Sequence, residues 1–291
     1  MPNPWLLALR PKTLPAAAVP VAVGIAVAWA EGVFGGLPAL AALVGALLIQ
    51  IGTNFANDYF DYVQGADTAA RIGPTRAVAA GLLTPAAMKR AFVATFGLAF
   101  LVGIYLVVRG GWPIVIIGLA AIASGIAYTA GRHSLAYIGL GDVFAFVFFG
   151  PVAVAGTHYV QALRWSETAL LASIPIGCLV VAILVVNNVR DVDTDRAAGK
   201  RTLAARLGRG FGRAEYVTLL AAAFVTPIVF LATGRTGGLG LLPLLAAPLA
   251  LSPLRAVLGT TDGPALNRAL GQTARLLAVF GGLWAVGLGV G

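Results

Sequence analysis

Long apolar runs, separated by short clusters of glycine, proline and charged residues, dominate this chain of 291 residues. A helix needs about 20 predominantly apolar residues to cross about 30 Å of hydrocarbon. Nine runs of this kind lie near residues 14–32, 38–57, 86–108, 112–130, 139–160, 168–188, 214–233, 238–258 and 270–290. None of them shows the apolar and polar alternation of a membrane β-barrel strand. The sequence therefore predicts an all-α polytopic membrane protein, with about nine transmembrane helices around a central cavity.

The composition excludes a water-soluble globule, because 59% of the residues are hydrophobic and only 11% are charged. Such a chain has too few polar side chains to cover a surface in water. Its one cysteine, Cys178, lies in an apolar run, which excludes disulfides within the chain and a cysteine metal site. The first residues, MPNPWLLALRPKTLP, lack a basic leader followed by a small-residue cleavage site, so no removable signal peptide is predicted. We expect one membrane domain over residues 1–291.

Lysine and arginine outnumber the carboxylates by 20 to 11, which gives a net charge of +9. In a membrane protein such an excess first indicates topology, because cytoplasmic loops are enriched in Lys and Arg. With a cytoplasmic N-terminus, only Arg109, Arg164 and Arg235 fall on the outer side. This distribution predicts a cytoplasmic N-terminus in a cell membrane, and no nucleic-acid partner.

Two clusters of carboxylates follow the second and sixth spans. They are NFANDYFDYVQGAD at residues 54–67 and NNVRDVDTD at residues 187–195. Because four spans separate them, both clusters emerge on the same face of the membrane. On a continuous helix, Asn54, Asp58 and Asp61 share one face, and so do Asn187, Asp191 and Asp195. This repetition predicts parallel four-helix repeats over residues 14–130 and 139–258, with a ninth helix added.

Grouped carboxylates at a membrane boundary repel one another unless a cation lies between them. Oxygen ligands favour Mg²⁺ or Ca²⁺ over Zn²⁺, and Mg²⁺ usually takes one or two carboxylates together with phosphate oxygens. Two ions could thus surround one diphosphate. Gly65 could end the helix and return Asp67 to this site, whereas Asp193 is expected either to lie behind the metal ligands and contact them or to face solvent. The predicted metal ligands are Asp58, Asp61, Asp67, Asp191 and Asp195, while Asp142, Glu215 and Asp262 fit ordinary solvated helix ends.

Several stretches resemble the UbiA-type prenyltransferase superfamily, and the resemblance covers essentially the whole chain. NDYFDYVQGAD and DVDTD are similar to its two aspartate-rich motifs. Further stretches resemble the branch that acts on 1,4-dihydroxy-2-naphthoate: LRPKTLPAA, ARIGPTR, YIGLGD and NNVRDVDTDRAAGKRTLA. One departure concerns the first motif, whose last carboxylate the superfamily commonly places at position 65, where this chain has Gly65 and places Asp67 two residues later.

The resemblance implies a fold of nine transmembrane helices and a Mg²⁺-dependent enzyme of menaquinone biosynthesis. Such an enzyme transfers a polyprenyl group from polyprenyl diphosphate to 1,4-dihydroxy-2-naphthoate with decarboxylation, and demethylmenaquinone is the product. It implies that Asp58, Asp61, Asp191 and Asp195 are catalytic. Residues expected to bind substrate are Arg10, Lys12, Asn54, Arg71, Arg76, Tyr128, Arg132, Asn187, Asn188, Lys200 and Arg201.

Two alternative functions remain open at this point. A prenyltransferase of the same class could act on another aromatic acceptor, such as 4-hydroxybenzoate or the acceptor of a phytyl-quinone branch. A cation transporter could also use paired carboxylates. It is less favoured because transporter ion sites usually lie near the bilayer midplane, whereas both clusters lie at one face. The sequence indicates neither the prenyl chain length nor the oligomeric state.

Overall fold

The computed structural model describes residues 3–63, 65, 76–127 and 139–291. The chain begins with a short helix, α1 (Pro4–Leu9), and a single 3-10 turn, Pro11–Thr13. Arg10 joins them with a φ of 55°, a left-handed conformation that is uncommon outside glycine. The next helix, α2 (Pro15–Ala30), is bent by 45° from this N-terminal segment. The chain therefore turns sharply at a corner just before the helix of the first apolar run.

The remaining segments are also helical. They are α3 (Gly36–Val63), α4 (Pro85–Gly110), α5 (Trp112–Ala127), α6 (Gly141–Val147), α7 (Ala153–Ala162), α8 (Glu167–Ala172), α9 (Ile174–Arg190), α10 (Val192–Ala197), α11 (Leu203–Leu207), α12 (Arg209–Ala232), α13 (Ala247–Gly259) and α14 (Gly263–Val290). A π-helical turn at Phe148–Val152 joins α6 to α7, and a 3-10 helix at Gly238–Ala246 leads into α13. Each contains a proline, Pro151 or Pro243, which cannot donate a backbone hydrogen bond to the preceding turn.

Seven segments of the described chain are long and apolar enough to cross a membrane, and the bent pair α1 and α2 makes an eighth if counted as one span. The predicted all-α multi-pass architecture is thus confirmed. The predicted fourth span, 112–130, is represented by α5, whose apolar part Trp112–Ser124 is shorter than those seven. Residues 128–130 of that span lie outside the described part of the chain.

The core is centred on the segment that α8 and α9 form together. In that segment 72% of the most apolar window is buried, against 22% in α4, whose large apolar side chains are turned outward. The helix α9 packs against α12 and α14. Trp284 of α14 is fully buried, and its indole N–H donates to the carbonyl of Ala172 over 3.0 Å. A buried indole needs such a partner, so this bond fixes α14 against the end of α8.

Three spans meet in a polar cluster at the end of the molecule away from the aspartates, which we call the opposite face. Glu31 follows α2 and accepts hydrogen bonds from Ser166 Oγ (2.6 Å) and Arg164 Nη2 (2.8 Å). His158 of α7 is fully buried, with its Nε2 at 3.1 Å from Glu31 Oε2. Burial alone would raise the pKa of Glu31, but the hydrogen bond from Ser166 and the partners His158 and Arg164 lower it below its ordinary value. All three basic residues predicted to lie outside have polar partners at this face. Arg164 pairs with Glu31, Arg109 donates a hydrogen bond to the Gln161 carbonyl, and Arg235 pairs with Glu167.

Candidate active site

The first aspartate cluster lies on a helix that is longer than the predicted span. Helix α3 continues to Val63, so Asn54, Asp58 and Asp61 share one face, as expected from their spacing. The helix therefore extends beyond residue 57, where the predicted second span ends. Gly65 has a φ of 67°, in the left-handed region that glycine adopts without strain, and it follows the end of the helix. The predicted site residues Asp67 and Arg71 lie outside the described residues.

Asp58 and Asp61 are bound to the chain that follows them. Asp58 is 1% exposed, and its two carboxylate oxygens accept from the backbone N–H groups of Ala77 (3.0 Å) and Val78 (3.2 Å). Asp61 forms an ion pair with the buried guanidinium of Arg76. Both carboxylates are thus fixed to the segment that begins at Arg76, and a carboxylate oxygen, which has two lone pairs, is a group that can also bind a cation.

The second cluster is built differently from the continuous helix that its spacing suggests. Helix α9 ends at Arg190, Asp191 is its C-cap, and α10 begins at Val192, so the expected continuous arc from Asn187 to Asp195 is wrong. The break occurs because Asp191 leaves helical geometry (φ −97°, ψ 11°). The Asp195 N–H nevertheless donates to the Asp191 carbonyl over 2.7 Å, which keeps the two residues close together.

Arg190 and Lys200 supply positive charge to this second cluster. Arg190 Nε and Nη2 lie 2.7 and 2.5 Å from the two carboxylate oxygens of Asp191. Lys200 Nζ lies 3.6 Å from Asp195 Oδ1. Burial raises the pKa of Asp195, and the charge of Lys200 opposes that rise. Asp193, by contrast, is 76% exposed and pairs with Arg209, so of its two expected positions the one that faces solvent is confirmed.

Asp142 is not the solvated helix end that the sequence suggested. It is 6% exposed and accepts a hydrogen bond from Asn188 Nδ2 over 3.2 Å, because the start of α6 is packed against the end of α9. Glu215 is half-buried rather than solvated, since α12 also packs on α9. The expectation holds for Asp262, which is exposed and caps α14 by accepting from the Ala265 N–H over 2.8 Å. Of these three carboxylates, Asp142 thus has a structural role, because its hydrogen bond with Asn188 fixes the position of that side chain.

The segment that carries Lys200 and Arg201 is also held close to the start of α6. Gly139 has a φ of 82°, and a Cβ added there would lie 2.4 Å from the Arg201 carbonyl oxygen. Only glycine fits this position, because a side chain would both strain the backbone and collide. Arg201 itself is exposed, and the segment continues into α11, which Thr202 caps. The stretch between the predicted sixth and seventh spans, 189–213, contains α10, α11 and the start of α12. Tyr128 and Arg132 lie outside the described residues.

A cavity of about 730 Å³ is lined by residues of both clusters, Asn54 and Asn57 of the first and Asn187 of the second. Its lining is mostly apolar and comes from α2 to α7, α9 and α14. Along α3 it extends from Ala42 to Asn57, which corresponds to about 22 Å at the rise of an α-helix. Asn57, beside Asp58, and Asn187, one turn before Asp191, both line it. The polar residues that line this end include Lys12, Thr13, Gln50, Thr53, Asn54, Asn57 and Asn187.

Sequence reasoning missed several of these polar residues. Gln50 stands one helical turn before Asn54, and this spacing within an apolar span could have identified it. Arg190 was counted only as an orientation charge, although an arginine directly beside Asp191 is a natural ion-pair partner. Asn267 of α14, which accepts a hydrogen bond from Arg190, has no local sequence signal, because 77 residues separate the two in sequence.

The donor set fits magnesium that is completed by a phosphate ligand. Within the described ranges, no three His, Cys, Asp or Glu side chains are grouped closely enough to hold an ion by themselves. Each cluster offers carboxylates without sulfur or imidazole, and Mg²⁺ usually takes only one or two carboxylates, with phosphate and water oxygens completing its shell. The residues therefore suit an ion bound between protein and diphosphate.

An apolar membrane cavity whose polar end is lined by Lys12 and by asparagines of both aspartate clusters suits an amphiphile with an anionic head. The chain belongs to the UbiA prenyltransferase family, whose sequence profile it matches over residues 17–287.

Relatives and a solved structure agree with this assignment. The chain is 40% identical to the 1,4-dihydroxy-2-naphthoate octaprenyltransferase of Escherichia coli, over 93% of this chain and 90% of that protein. It is 39% identical to the enzyme of the same name from Mycobacterium tuberculosis, over 95% and 93%. A UbiA homolog from Archaeoglobus fulgidus bound to DMAPP and Mg²⁺ has the same fold, with a TM-score of 0.61 at 13% identity, over 97% of this chain and 99% of that one.

Proposed function

We propose that this protein transfers a polyprenyl group from polyprenyl diphosphate to 1,4-dihydroxy-2-naphthoate, with loss of carbon dioxide, to give demethylmenaquinol, the hydroquinone form of demethylmenaquinone. The observation that carries the proposal is the apolar cavity whose polar end is lined by residues of both aspartate clusters. The names of the Escherichia coli and Mycobacterium tuberculosis relatives support this acceptor. We also propose that the polar end faces the cytoplasm of a bacterial cell, because most Lys and Arg residues lie on that side.

The prenyl donor fits the cavity with its diphosphate at the polar end. Its hydrocarbon chain would lie along the apolar wall from Asn57 toward Ala42, and a water-free wall protects an allylic cation from hydrolysis. Arg76 and Lys200 stand beside Asp61 and Asp195, where they can balance the charge of the diphosphate. The exposed Arg201 and the cavity-lining Asn187 are further candidates for contacts with it.

Asp58, Asp61, Asp191 and Asp195 would hold magnesium, which would supply positive charge to neutralise the diphosphate leaving group and so lower the barrier to its departure. The Archaeoglobus fulgidus structure bound to DMAPP and Mg²⁺ supports the choice of metal. We propose two ions, one for each cluster. Around them, Ala77 and Val78 hold the Asp58 carboxylate in place, and Arg190 holds that of Asp191.

No protein nucleophile is required for this reaction. The electron-rich acceptor ring supplies the electron pair that forms the new carbon–carbon bond, while the diphosphate leaves with the pair of the broken carbon–oxygen bond. The same ring carbon then loses its carboxylate as carbon dioxide, which restores the aromatic ring. Lys12 lines the polar end of the cavity and is placed to bind the acidic acceptor, with Arg10 nearby.

The experiment that tests the proposal uses the purified protein in detergent with Mg²⁺ and a series of prenyl diphosphates of increasing length. Two acceptors are supplied separately, 1,4-dihydroxy-2-naphthoate and 4-hydroxybenzoate, each labelled in its carboxylate. We expect a prenylated product and released labelled carbon dioxide with the first acceptor only. Transfer to 4-hydroxybenzoate with its carboxylate retained, or no transfer to either acceptor, contradicts the proposal.

A further inference from the structure

A hydrogen-bonded group of three polar side chains lies at the polar end of the cavity, apart from the carboxylates. It consists of Thr13, Gln50 and Asn54, all of which line the cavity. Asn54 Nδ2 donates to the Leu9 carbonyl and to Thr13 Oγ1, both over 2.9 Å. Gln50 Nε2 lies 3.4 Å from Thr13 Oγ1 and 3.4 Å from Asn54 Oδ1. This group joins α3 to the corner between α1 and α2.

The chemistry of the partners fixes which way each amide faces. The Leu9 carbonyl can only accept a hydrogen bond, so Asn54 must present its NH₂ group there. Asn54 Oδ1 is then the acceptor that faces Gln50. Gln50 must therefore present its own NH₂ group, because two amide oxygens in contact would repel each other.

The hydroxyl of Thr13 completes the arrangement. It donates its proton to the Arg10 carbonyl over 2.9 Å and uses its two lone pairs to accept from Asn54 and Gln50. Both hydrogen bonds that Gln50 makes within the described part of the chain use Nε2. Its carbonyl oxygen, Oε1, is left as an acceptor on a residue that lines the cavity.

We infer that Gln50 Oε1 orients the aromatic acceptor by accepting a hydrogen bond from one of its ring hydroxyls. An oxygen that can only accept repels phosphate and carboxylate oxygens, so neither the diphosphate nor the acceptor carboxylate is its partner. In 1,4-dihydroxy-2-naphthoate the 1-hydroxyl bonds internally to the adjacent carboxylate, which leaves the 4-hydroxyl to donate. Lys12, next to Thr13 at the same end of the cavity, is placed to receive the carboxylate.

This inference rests on the proposed function, and it assigns a specificity determinant for the acceptor. A site built to accept from a substrate hydroxyl rejects an analogue that lacks it, because the buried oxygen then remains unpaired. Gln50 is therefore expected to discriminate among naphthoates by their 4-hydroxyl, and not to affect the affinity for the prenyl donor.

The test measures inhibition constants of 2-naphthoate and 4-hydroxy-2-naphthoate, as competitors of the acceptor, for the wild-type protein and for Gln50→Met. We expect the hydroxylated analogue to bind the wild type about three- to tenfold more tightly, which is the effect of one neutral hydrogen bond. The ratio should fall to about one in Gln50→Met. Thr53→Val, at another polar position of the same helix end, should keep the wild-type ratio.

A merely structural role of Gln50 would weaken both analogues equally and leave their ratio unchanged, which would overturn the inference. An unchanged KM for the prenyl diphosphate in Gln50→Met is also expected, and a large increase in that KM would assign Gln50 to the donor site instead. Absence of prenyl transfer by the wild type would count against the proposed function, whereas an active wild type with an unchanged ratio counts against Gln50 alone.

Discussion

Arg190 and Asp191, neighbours in sequence, form an ion pair through two parallel hydrogen bonds of 2.7 and 2.5 Å at the point where α9 ends. The Arg190 side chain is 4% exposed and that of Asp191 is 27% exposed. The second motif thus contains a buried cation whose planar group fixes the orientation of the Asp191 carboxylate. Asn267 of α14 accepts from the remaining end of the same guanidinium.

Arg190→Lys should impair the use of the prenyl diphosphate. Lysine keeps the charge but cannot form two parallel bonds to Asp191, so the carboxylate loses its fixed orientation. We expect kcat/KM for the prenyl diphosphate to fall about tenfold or more, which corresponds to about 1.4 kcal/mol. The matched control is Arg209→Lys, whose partner Asp193 is exposed. Equal kinetics for the two variants would show that the Arg190 pair has no role in the reaction.

Asp58→Asn should destabilise the protein as well as inactivate it. The amide can accept only through Oδ1, so its NH₂ group would face one of the two backbone N–H groups at Ala77 and Val78. An unsatisfied buried group of this kind costs about 1–3 kcal/mol. The apparent melting temperature in detergent should fall by several degrees, whereas Asp262→Asn, at an exposed helix cap, should change it little, because Asn and Asp cap equally well. A melting temperature equal to the wild type would contradict the hydrogen bonding assigned to Asp58.

Gly139→Ala should lower prenyl transfer through the neighbouring Lys200 and Arg201 segment. The added methyl would meet the Arg201 carbonyl oxygen at 2.4 Å and force the two segments apart. Gly234→Ala separates this effect from backbone strain, because Gly234 also has a positive φ of 68° but open space around it. We expect turnover to fall about tenfold or more for Gly139→Ala and to stay near that of the wild type for Gly234→Ala. The measurement is initial rate per folded protein, and similar rates for both variants would exclude a role for this contact.

The cluster around Glu31 should make stability depend on pH on the acidic side. Its pKa is lower in the folded protein than the ordinary value of 4.5, so the stabilisation it gives is complete above that value and is lost as the pH falls through the folded pKa. Melting temperatures of the wild type and Glu31→Gln should therefore differ at pH 7, and the difference should shrink progressively as the pH falls below about 4.5. Glu167→Gln, which removes an exposed pair with Arg235, should show a smaller difference at pH 7. A Glu31→Gln difference that stays constant or grows as the pH is lowered below the ordinary value of 4.5 would contradict this account.

Much of the architecture could be predicted from the sequence, because hydrocarbon imposes helices and sets their length. The positions of the apolar runs and the shared face of Asn54, Asp58 and Asp61 follow from composition and helical periodicity alone. The break of α9 at Asp191 could not be predicted in this way, because periodicity assumes a helix that continues. The polar residues before the break, Asn187, Asn188, Arg190 and Asp191, give no signal for where the helix ends.

Burial of charge was the harder property to predict. Asp142 looks like a solvated helix end in sequence, and only the packing of α6 against α9 buries it beside Asn188. The bond between Arg190 and Asn267 likewise depends on a contact between distant helices. The predicted repeat of four helices, the role of Asp67 and the pair Tyr128 and Arg132 stay predictions.

The most direct measurement of the central claim compares Asp191→Asn with Asp193→Asn in prenyl transfer to 1,4-dihydroxy-2-naphthoate at saturating Mg²⁺ and substrates. The two carboxylates are two positions apart and each has an arginine partner, but Asp191 lies between Arg190 and Asp195 whereas Asp193 is 76% exposed. We predict that turnover falls about 100-fold or more in Asp191→Asn, as when a charge-stabilising group is lost, and changes less than about twofold in Asp193→Asn. Wild-type turnover in Asp191→Asn, with the protein correctly folded, would contradict the account.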